Sequence, residues 1–235
     1  MLKLSKLFLG VATGALGLLL SIPAQAIPLL PNTVALAAPE PGPAGTVVES
    51  RAQAFAGPGQ NAFTGTLFSA VLAGDLTNPF VGGLTFVFQL QNNAAVVAPG
   101  SSLGRLTIEG FEGFQVDASF FNIASPALSS VGFTSGGTSP FVFDRSLNGD
   151  VVGSSFVFNK IKPGTRSSLL VFQTNATRFE LNASNVINGS VATTVSLSPA
   201  AGSPPVGVPD GGSALAFLGI AMVGIEGLRR KLRLA

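Results

Sequence analysis

The stretch LTFVFQLQ, residues 84–91, decides the fold class because large apolar side chains alternate with other residues along it. An extended chain points successive side chains to opposite faces, and one face of this stretch carries Leu84, Phe86, Phe88 and Leu90. The other face carries Thr85, Gln89 and Gln91. This period of two predicts a half-buried antiparallel strand, with one face in a core and one in water.

The same alternation recurs along the chain between residues 46 and 198. Two further stretches, FQVDASF (residues 114–120) and VATTVSLS (residues 191–198), show it clearly. The faces predicted to be buried carry Phe114, Val116, Ala118 and Phe120 in the first, and Val191, Thr193, Val195 and Leu197 in the second. Turn-forming pairs separate such stretches at intervals of roughly 12 to 20 residues: Asn78-Pro79, Gly82-Gly83, Pro99-Gly100, Gly136-Gly137, Asn148-Gly149, Pro163-Gly164 and Asn188-Gly189.

An all-β domain over residues 46–198 is the fold that these strands and turns predict. Short alternating strands pack as an antiparallel β-sandwich or jelly roll, here of about eight to ten strands. A transmembrane β-barrel also has alternating strands, but its aromatic girdles use Trp and Tyr. The chain contains neither residue, and we therefore expect the sandwich or jelly roll.

The basic residues of the chain are concentrated at its two ends. The formal net charge is +2, but Lys3 and Lys6 lie near the N-terminus and a basic cluster lies near the C-terminus. Between residues 27 and 207 nine acidic residues outnumber seven basic ones, so this part carries a charge of −2. Since a nucleic-acid-binding domain needs a basic surface, we expect no nucleic acid as a partner.

The absence of cysteine and histidine limits the chemistry open to this protein. Without them there is no thiolate nucleophile, no imidazole base and no nitrogen or sulfur ligand for zinc. Glu109 and Glu112 are three residues apart, but the glycines beside them break any helix that would place both on one face. Lys160 and Lys162 flank a Pro-Gly turn, where lysine is ordinarily a solvated side chain. We predict that the protein is not an enzyme and uses no cofactor.

The first 26 residues have the layout of a secretory signal peptide. Two lysines precede an apolar run over residues 7–20, and the small residues Ala24 and Ala26 form a signal peptidase site. We predict cleavage between Ala26 and Ile27, with signal peptidase as a transient partner. An uncleaved membrane anchor is the alternative, for which the apolar run is short of the about 20 residues that a span needs.

The two segments that flank the β-domain have the composition of linkers. Residues 27–45 are rich in Pro and Ala and include the sequence Pro39-Glu40-Pro41, and residues 199–207 are rich in Pro, Gly and Ser. Proline has no backbone donor and is excluded from central strands. We therefore expect neither segment to bury much surface or to pair in a central sheet, and we expect the second to be a stiff spacer.

The C-terminal residues 208–235 combine a turn-forming hexad, a short apolar run and a basic end. The hexad VPDGGS consists of Val208, Pro209, Asp210, Gly211, Gly212 and Ser213. An apolar run over residues 214–225 follows, and the basic residues after it are Arg229, Arg230, Lys231 and Arg233. A helix over residues 213–228 would be about 24 Å long, which is short of the roughly 30 Å hydrocarbon core. The positive-inside rule places the basic end in the cytoplasm and the β-domain outside.

This architecture resembles the PEP-CTERM type sorting signal of exported bacterial proteins, in the variant with V-P-D in place of V-P-E-P. The resemblance implies processing near the hexad by an exosortase, a membrane-embedded cysteine protease of Gram-negative bacteria that form biofilm or exopolysaccharide. It implies that residues 213–228 span the membrane only in an intermediate, whereas a permanent anchor would keep them. The stretches VVGSSFVFN, PGTRSSLLVFQTNAT and VINGSVAT also look like the β-domain often found in front of such signals.

Two local groups of residues suggest a ligand or a modification. Asp144, Asn148 and Asp150 offer oxygen atoms to a calcium ion, but their spacing differs from the EF-hand loop and Asn148-Gly149 already forms a hairpin turn. Three N-x-S/T sequons begin at Asn175, Asn182 and Asn188, and they signify glycans only in a host with the glycosylation machinery. The sequence alone decides neither.

Together these features predict an exported protein of a Gram-negative-type bacterium, located at the cell surface, in the periplasm or in the extracellular matrix. Its β-domain would be a structural or binding component, with exopolysaccharide or other matrix components as candidate partners. A carbohydrate-binding module is the alternative, although the Trp and Tyr platforms that commonly stack on sugars are missing. A carboxylate-dependent hydrolase would need two buried carboxyls about 5 to 9 Å apart in a cleft.

Overall fold

The computed structural model describes residues 27–58, 63–93 and 101–200, which form an all-β domain. These residues contain twelve strands and one short helix. The strands are β1 (Ile27–Pro28), β2 (Val34–Leu36), β3 (Thr46–Gly57), β4 (Phe63–Ala73), β5 (Thr85–Asn92), β6 (Arg105–Ile108), β7 (Val116–Phe121), β8 (Val142–Arg145), β9 (Val152–Ser155), β10 (Leu169–Thr174), β11 (Phe179–Ile187) and β12 (Val191–Pro199). The helix α1 (Pro126–Ser130) lies between β7 and β8.

The strands form two antiparallel sheets of six strands each. Sheet A has the order β1-β7-β10-β5-β4-β3, and sheet B has the order β12-β11-β6-β9-β8-β2. Their inner faces pack together, so that the Phe143 ring of sheet B lies 5.6 Å from the Phe172 ring of sheet A, centroid to centroid. The prediction of an all-β antiparallel fold is confirmed, and the two packed sheets are consistent with the predicted β-sandwich.

Phenylalanine fills the space between the sheets. Five rings there are fully buried: Phe86, Phe88, Phe111, Phe143 and Phe172. They meet edge to face with centroid distances between 5.6 and 6.1 Å. Each such contact adds about 0.5–1.5 kcal/mol beyond the burial of the ring. A core of this kind explains how a chain without disulfides holds two sheets together.

The central strands of sheet A are buried on both faces, so the expectation of one face in water is wrong for them. On the outer face of β5, Thr85 and Gln89 are fully buried. A second apolar cluster covers this face and includes Leu128 of α1 and Phe133 just after it. Residues 122–139, which we name the cover segment, therefore form a third layer that the alternation in LTFVFQLQ does not reveal.

The residues of β12 that face the core also differ from those predicted. Three residues predicted to face the core are exposed: Val191, Thr193 and Val195. Ala192 and Ser196 are buried instead, and the Ser196 hydroxyl forms a hydrogen bond of 2.6 Å with the Ser184 hydroxyl on β11. Because small and β-branched residues occur on both faces of β12, only its register with β11 sets which face is inside.

Residues 27–45 are part of the fold, although their composition predicted a linker. β1 pairs with β7, with Ile27 opposite Ala118, and β2 pairs with β8 in the other sheet. Between these two strands, Leu29 is fully buried in the core. The prolines are tolerated because both strands lie at sheet edges, where a missing N–H removes no ladder hydrogen bond.

The rest of this segment runs along β7 and buries polar residues. The N–H of Glu40 donates to the carbonyl oxygen of Phe120 at 2.9 Å. Asp117 and Ser119 on β7, which the alternation predicts to face water, are only 6% and 4% exposed. The sequence Pro39-Glu40-Pro41 is therefore a packed part of the domain, in contrast to its predicted place in a linker.

Several predicted turns are confirmed by backbone conformation. Gly149, Gly164 and Gly189 have φ angles between +75° and +79°, which glycine adopts without steric cost. They follow Asn148, Pro163 and Asn188, as the turn signals predict. The number of strands in the described residues exceeds the predicted eight to ten because residues 27–45 contribute β1 and β2.

Candidate functional site

The two ends of the sandwich differ in the charged residues that their loops carry. At the end where β6 begins, with Arg105, the loop cations are Lys160, Lys162 and Arg166, and we name it the basic end. At the end where β6 stops, with Ile108, the surface acids are Glu109, Glu112, Asp150 and Glu180, and we name it the acidic end. Ala200 lies at the acidic end, where its N–H donates to the carbonyl of Arg178.

A shallow groove of about 480 Å³ opens at the basic end, between the cover segment and the turn before β10. Its lining is small and polar: Thr134, Ser135, Gly136, Gly137, Thr138, Gly164, Thr165 and Arg166. Gly137 has a φ angle of +119° and lies so close to the Ser167 backbone that a Cβ atom would collide with it. The groove therefore presents hydroxyl groups, whereas most of its backbone N–H groups, those of Thr134, Gly136, Thr138, Gly164 and Thr165, already donate within the fold.

Arg166 supplies the positive charge of the groove. Its guanidinium lies 4.7 Å from the centroid of the Phe68 ring, and its Nη1 donates to the carbonyl of Gly132 at 2.8 Å. The neighbouring side chain of Gln89 holds the cover segment by donating from Nε2 to the carbonyl of Thr134 at 2.8 Å. Burial lowers the pKa of Arg166 from its usual value, but a guanidinium stays charged at neutral pH. The charge is therefore permanent and held in a defined position.

Two exposed phenylalanines lie beside the groove. The rings of Phe141 and Phe158 pack edge to face, with centroids 4.6 Å apart and planes at 89°. They are 44% and 78% exposed. Phe141 follows Thr138 of the groove by three residues, so their Cα atoms lie within about 11 Å of each other. Large exposed rings beside a polar groove are typical of a binding surface.

Sequence reasoning misses this surface. It treats Lys160 and Lys162 as solvated flanks of a turn, and it does not separate Phe141 and Phe158 from the phenylalanines of the core. One signal was available in FVFNKIKPGTR, residues 156–166, which carries three cations and no acid beside its two phenylalanines. Only the fold shows that the second phenylalanine of that stretch is at the surface.

A smaller pocket of about 190 Å³ lies at the acidic end. It brings Glu109 and Glu112, the carboxylates singled out by the sequence, together with Asp150 and Glu180. All four side chains are at least partly exposed, so they are not the two buried carboxyls that the hydrolase alternative requires. That the protein is not an enzyme stays a prediction.

The three candidate calcium ligands each have other partners. Asp144 forms a bidentate salt bridge with Arg105, with both N···O distances at 2.6 Å. The Oδ1 atom of Asn148 accepts the hydroxyl of Ser146 at 2.7 Å, and the Oδ1 atom of Asp150 accepts a backbone N–H at 3.0 Å. Within residues 27–58, 63–93 and 101–200, no three acidic side chains are grouped so as to hold a metal ion.

Arg145 supports the acidic end from inside the domain. It is 5% exposed, and burial lowers its pKa while the charge of Asp150 acts in the opposite direction. Its guanidinium donates at 2.6–3.0 Å to four backbone carbonyls, those of Leu29, Phe111, Phe114 and Gly149. These bonds join the N-terminal segment to the loop after β6 and to the turn between β8 and β9.

The sequon asparagines contribute hydrogen bonds within the fold. Asn175 Oδ1 accepts the N–H of Gln115 at 2.9 Å, and Asn182 Nδ2 donates to the hydroxyl of Ser198 at 2.9 Å. Asn188 is only 5% exposed. A glycan on Asn188 would therefore require its side chain to leave a buried position.

The predicted export and sorting residues lie outside the described part of the chain. They are Ala24 and Ala26 of the cleavage site, the hexad over residues 208–213, and the basic residues Arg229, Arg230, Lys231 and Arg233. Ile27 is described and belongs to β1. No helix among the described residues is both long enough and apolar enough to span a membrane.

Comparisons with known proteins yield no relative of this chain. It matches no protein-family model, no curated protein and no solved structure. The described residues therefore define a structural class, an antiparallel β-sandwich with a polar groove and an exposed aromatic pair at its basic end.

Proposed function

We propose that this protein is an exported component of the cell surface or extracellular matrix of a Gram-negative-type bacterium. The observation that carries the proposal is the position of the folded domain between the two predicted processing sites. Ile27 pairs with Ala118 of β7, and the Ala200 N–H donates to the Arg178 carbonyl, so residues on the domain side of both predicted sites are packed in the fold. Removal of residues 1–26 and of the tail after residue 207 would leave every described strand in place.

In this proposal the C-terminal residues deliver the domain to its destination. Signal peptidase acts after Ala26, and residues 213–228 then hold the chain in the membrane as an apolar helix. Residues 229–233 stay in the cytoplasm, which leaves the β-domain on the outer side. An exosortase reads the hexad at residues 208–213 and releases the domain.

The termini of the mature protein test this proposal. Fractionation and mass spectrometry should find an N-terminus at Ile27, and a shortened C-terminus in the wild-type strain but not in a strain lacking the exosortase. The double substitution P209A/D210A should preserve the tail. The matched control P205A, in the spacer, should be processed normally. A tail retained equally in both strains, or an intact Met1, would contradict the proposal.

A carbohydrate-binding module is the second candidate, and the basic end favours it. Phe141 and Phe158 offer exposed rings in a chain that has no Trp or Tyr, and the groove offers hydroxyls that can bond to sugar hydroxyls. The two candidates are compatible, because a matrix protein needs a ligand in the matrix.

A further inference from the structure

The charges of the described domain are separated between its two ends. Four loops at the basic end, residues 101–104, 133–141, 156–168 and 187–191, contain three cations and no acidic residue. Glu40 lies near this end in the segment after β2, where its N–H donates to the Phe120 carbonyl. Four partly or fully exposed acids line the pocket at the acidic end, which also carries the exposed Arg178 and the buried Arg145, so the acids outnumber the cations there. The formal net charge of −2 on residues 27–207 does not reveal this separation. A polyanion near the domain is therefore attracted to one end and repelled by the other.

The aromatic pair gives the basic end a chemistry beyond charge. Phe158 is 78% exposed and is held edge to face against Phe141. A flat apolar ring suits the C–H face of a pyranose. Lys160 and Lys162 follow Phe158 by two and four residues, which limits the Cα separations to about 14 Å. A sugar ring on Phe158 would therefore bring its substituents within reach of a lysine.

The groove continues this surface with groups that bind carboxylates and hydroxyls. The planar guanidinium of Arg166 can form two parallel hydrogen bonds with a carboxylate. The hydroxyls of Thr134, Ser135 and Thr138 line the same groove, and each can donate to or accept from a sugar hydroxyl. Lys162 precedes Gly164 of the groove by two residues, so their Cα atoms lie within about 7 Å of each other, while Lys160 Nζ donates to Asn188 Oδ1 at 3.3 Å in the neighbouring turn.

We propose that the basic end binds an acidic polysaccharide, one whose sugar units carry carboxylates. Phe158 and Phe141 contact the apolar faces of the sugars, while Lys162 and Arg166 pair with carboxylates. This inference rests on the proposed function, because it names the matrix ligand of the exported domain. The hydroxyl-lined groove favours a polysaccharide, because single-stranded nucleic acids are bound through their phosphates and by stacking of bases on aromatic rings.

Alginate, a polymer of uronic acids, is the probe, and neutral dextran of the same length is its control. The full chain, purified in mild detergent, should bind alginate and not dextran in isothermal titration calorimetry. The affinity should fall as salt rises from about 50 to about 500 mM, because exposed charges are screened over shorter distances at higher ionic strength. Binding of dextran with equal affinity would overturn the assignment to an acidic polymer.

Two pairs of variants test the residues. F158S should weaken alginate binding about tenfold, since exposed aromatic anchors dominate such surfaces, whereas L147S should not. Leu147 is a matched control because it is also 78% exposed but lies in the turn between β8 and β9 at the acidic end. K160Q/K162Q should weaken binding about tenfold and flatten the salt dependence. R51Q/R178Q removes two cations from β3 and the acidic end and should bind as wild type.

The outcomes separate this inference from the proposed function. No binding of alginate, or equal binding by wild type, F158S and K160Q/K162Q, would overturn the inference. An equal affinity for a single-stranded oligonucleotide of the same charge would overturn the assignment to a polysaccharide. A chain that is exported and processed normally but fails to bind alginate contradicts only this inference, and a retained tail contradicts only the proposed function. Melting temperatures of all variants establish that they fold.

Discussion

Arg145 is a buried cation whose hydrogen-bond partners are all backbone carbonyls. The carbonyls of Leu29, Phe111, Phe114 and Gly149 accept its four hydrogen bonds. They belong to loops, where no ladder of a sheet supplies donors, and a buried carbonyl without a donor is costly. One guanidinium with five N–H groups satisfies several carbonyls at once. Arg145 therefore acts as a junction between three loops.

The substitution Arg145→Met keeps most of the side-chain volume and removes all four hydrogen bonds. We expect the free energy of unfolding to fall by about 3–5 kcal/mol, because each buried carbonyl left without a donor costs about 1–3 kcal/mol, although the Phe111 carbonyl keeps the Phe114 N–H at 3.2 Å and relaxation recovers part of the sum. Urea denaturation measures the change. Arg51→Met, at an exposed position of β3, should change stability by less than about 0.5 kcal/mol. A loss below about 1 kcal/mol for Arg145→Met would contradict this account.

Gly153 leaves room for the salt bridge between Arg105 and Asp144. It lies on β9, between β6 and β8, and is opposite Thr107 on one side and Asp144 on the other. A Cβ atom on Gly153 would lie 2.5 Å from Arg105 Nη2 and 2.7 Å from Asp144 Oδ1. The two side chains can meet across β9 because the residue between them has no side chain.

Gly153→Ala should lower the free energy of unfolding by about 0.5–1 kcal/mol. This is the contribution of a partly exposed salt bridge, which the added Cβ atom would force apart. In an Arg105→Ala/Asp144→Ala background the same substitution should be neutral or stabilising by up to about 1 kcal/mol, because alanine restricts the unfolded chain. A double-mutant cycle followed by urea denaturation measures the difference. An equal cost in both backgrounds would show that alanine collides with the backbone instead.

At the scale of elements, the cover segment decides that sheet A is buried on both faces. Its helix α1 begins after Ser125, whose hydroxyl accepts the N–H of Leu128 at 3.3 Å, and Pro126 occupies the first turn. Leu128 then enters the second apolar cluster and is fully buried. A helix of one turn persists here because packing holds it, since isolated helices of this length are unstable.

Leu128→Ala should reduce the free energy of unfolding by about 2–4 kcal/mol, because it removes apolar contacts and leaves a cavity under the helix. Leu147→Ala is the matched control, since Leu147 is 78% exposed, and it should cost less than about 0.5 kcal/mol. Guanidinium denaturation compares the two. Equal effects would show that the cover segment contributes no packing.

Two carboxyl groups are brought together where the N-terminal segment runs along β7. Burial and the charge of Asp117 raise the pKa of Glu40 to about 7, while a hydrogen bond from Ser119 offsets part of this rise. Burial raises the pKa of Asp117 to about 6, against a hydrogen bond from the Ala118 N–H. Glu40 Oε1 and Asp117 Oδ1 are buried without hydrogen-bond partners. Both groups therefore favour their protonated forms.

Stability should fall as pH rises from about 4 to about 7. In this range the folded state holds protons that the unfolded carboxyls, with ordinary pKa values near 4, have already released. The melting temperature in differential scanning calorimetry should therefore be several degrees lower at pH 8 than at pH 5. The double substitution Glu40→Gln/Asp117→Asn should remove most of this difference. The same pH dependence in that variant would contradict the assignment to this pair.

At the scale of the whole molecule, residues 27–45 hold the two sheets together along one side. β1 extends sheet A and β2 extends sheet B, so one segment contacts both layers. Its end is fixed by the Ala44 N–H, which donates to Asp75 Oδ1 at 3.0 Å. Burial opposes the ionisation of Asp75, but hydrogen bonds from Thr85, Ala44 and Thr77 outweigh it and hold its pKa below the usual value.

A chain that starts at Ile27 is the reference that tests this role of residues 27–45. A chain that starts at Thr46 should melt about 10 °C lower or fail to fold, because it lacks an edge strand of each sheet and the buried side chain of Leu29. Thermal melts and limited proteolysis measure the difference. Equal stability of the two truncated chains would restore the linker interpretation of residues 27–45.

The sequence by itself determined strands such as β5 and β7, their antiparallel class and several turns. The period of two in residues 84–91 and 114–120 and the glycines at positions 149, 164 and 189 predicted these features correctly, because backbone extension and positive φ angles are local properties. The alternation also placed Phe86, Phe88 and Leu90 in the core, where they are fully buried.

Only the tertiary structure decided that the outer face of sheet A is covered, which residues of β12 face the core, and where residues 27–45 pack. Each of these depends on register or on a partner far away in the chain, as when the cover segment buries Gln89 or β7 receives β1. The basic end also exists only because the tertiary structure brings distant residues together. Phe141 and Phe158 meet across a connection of two strands and a turn, and a surface assembled from separate loops has no local signature in the sequence.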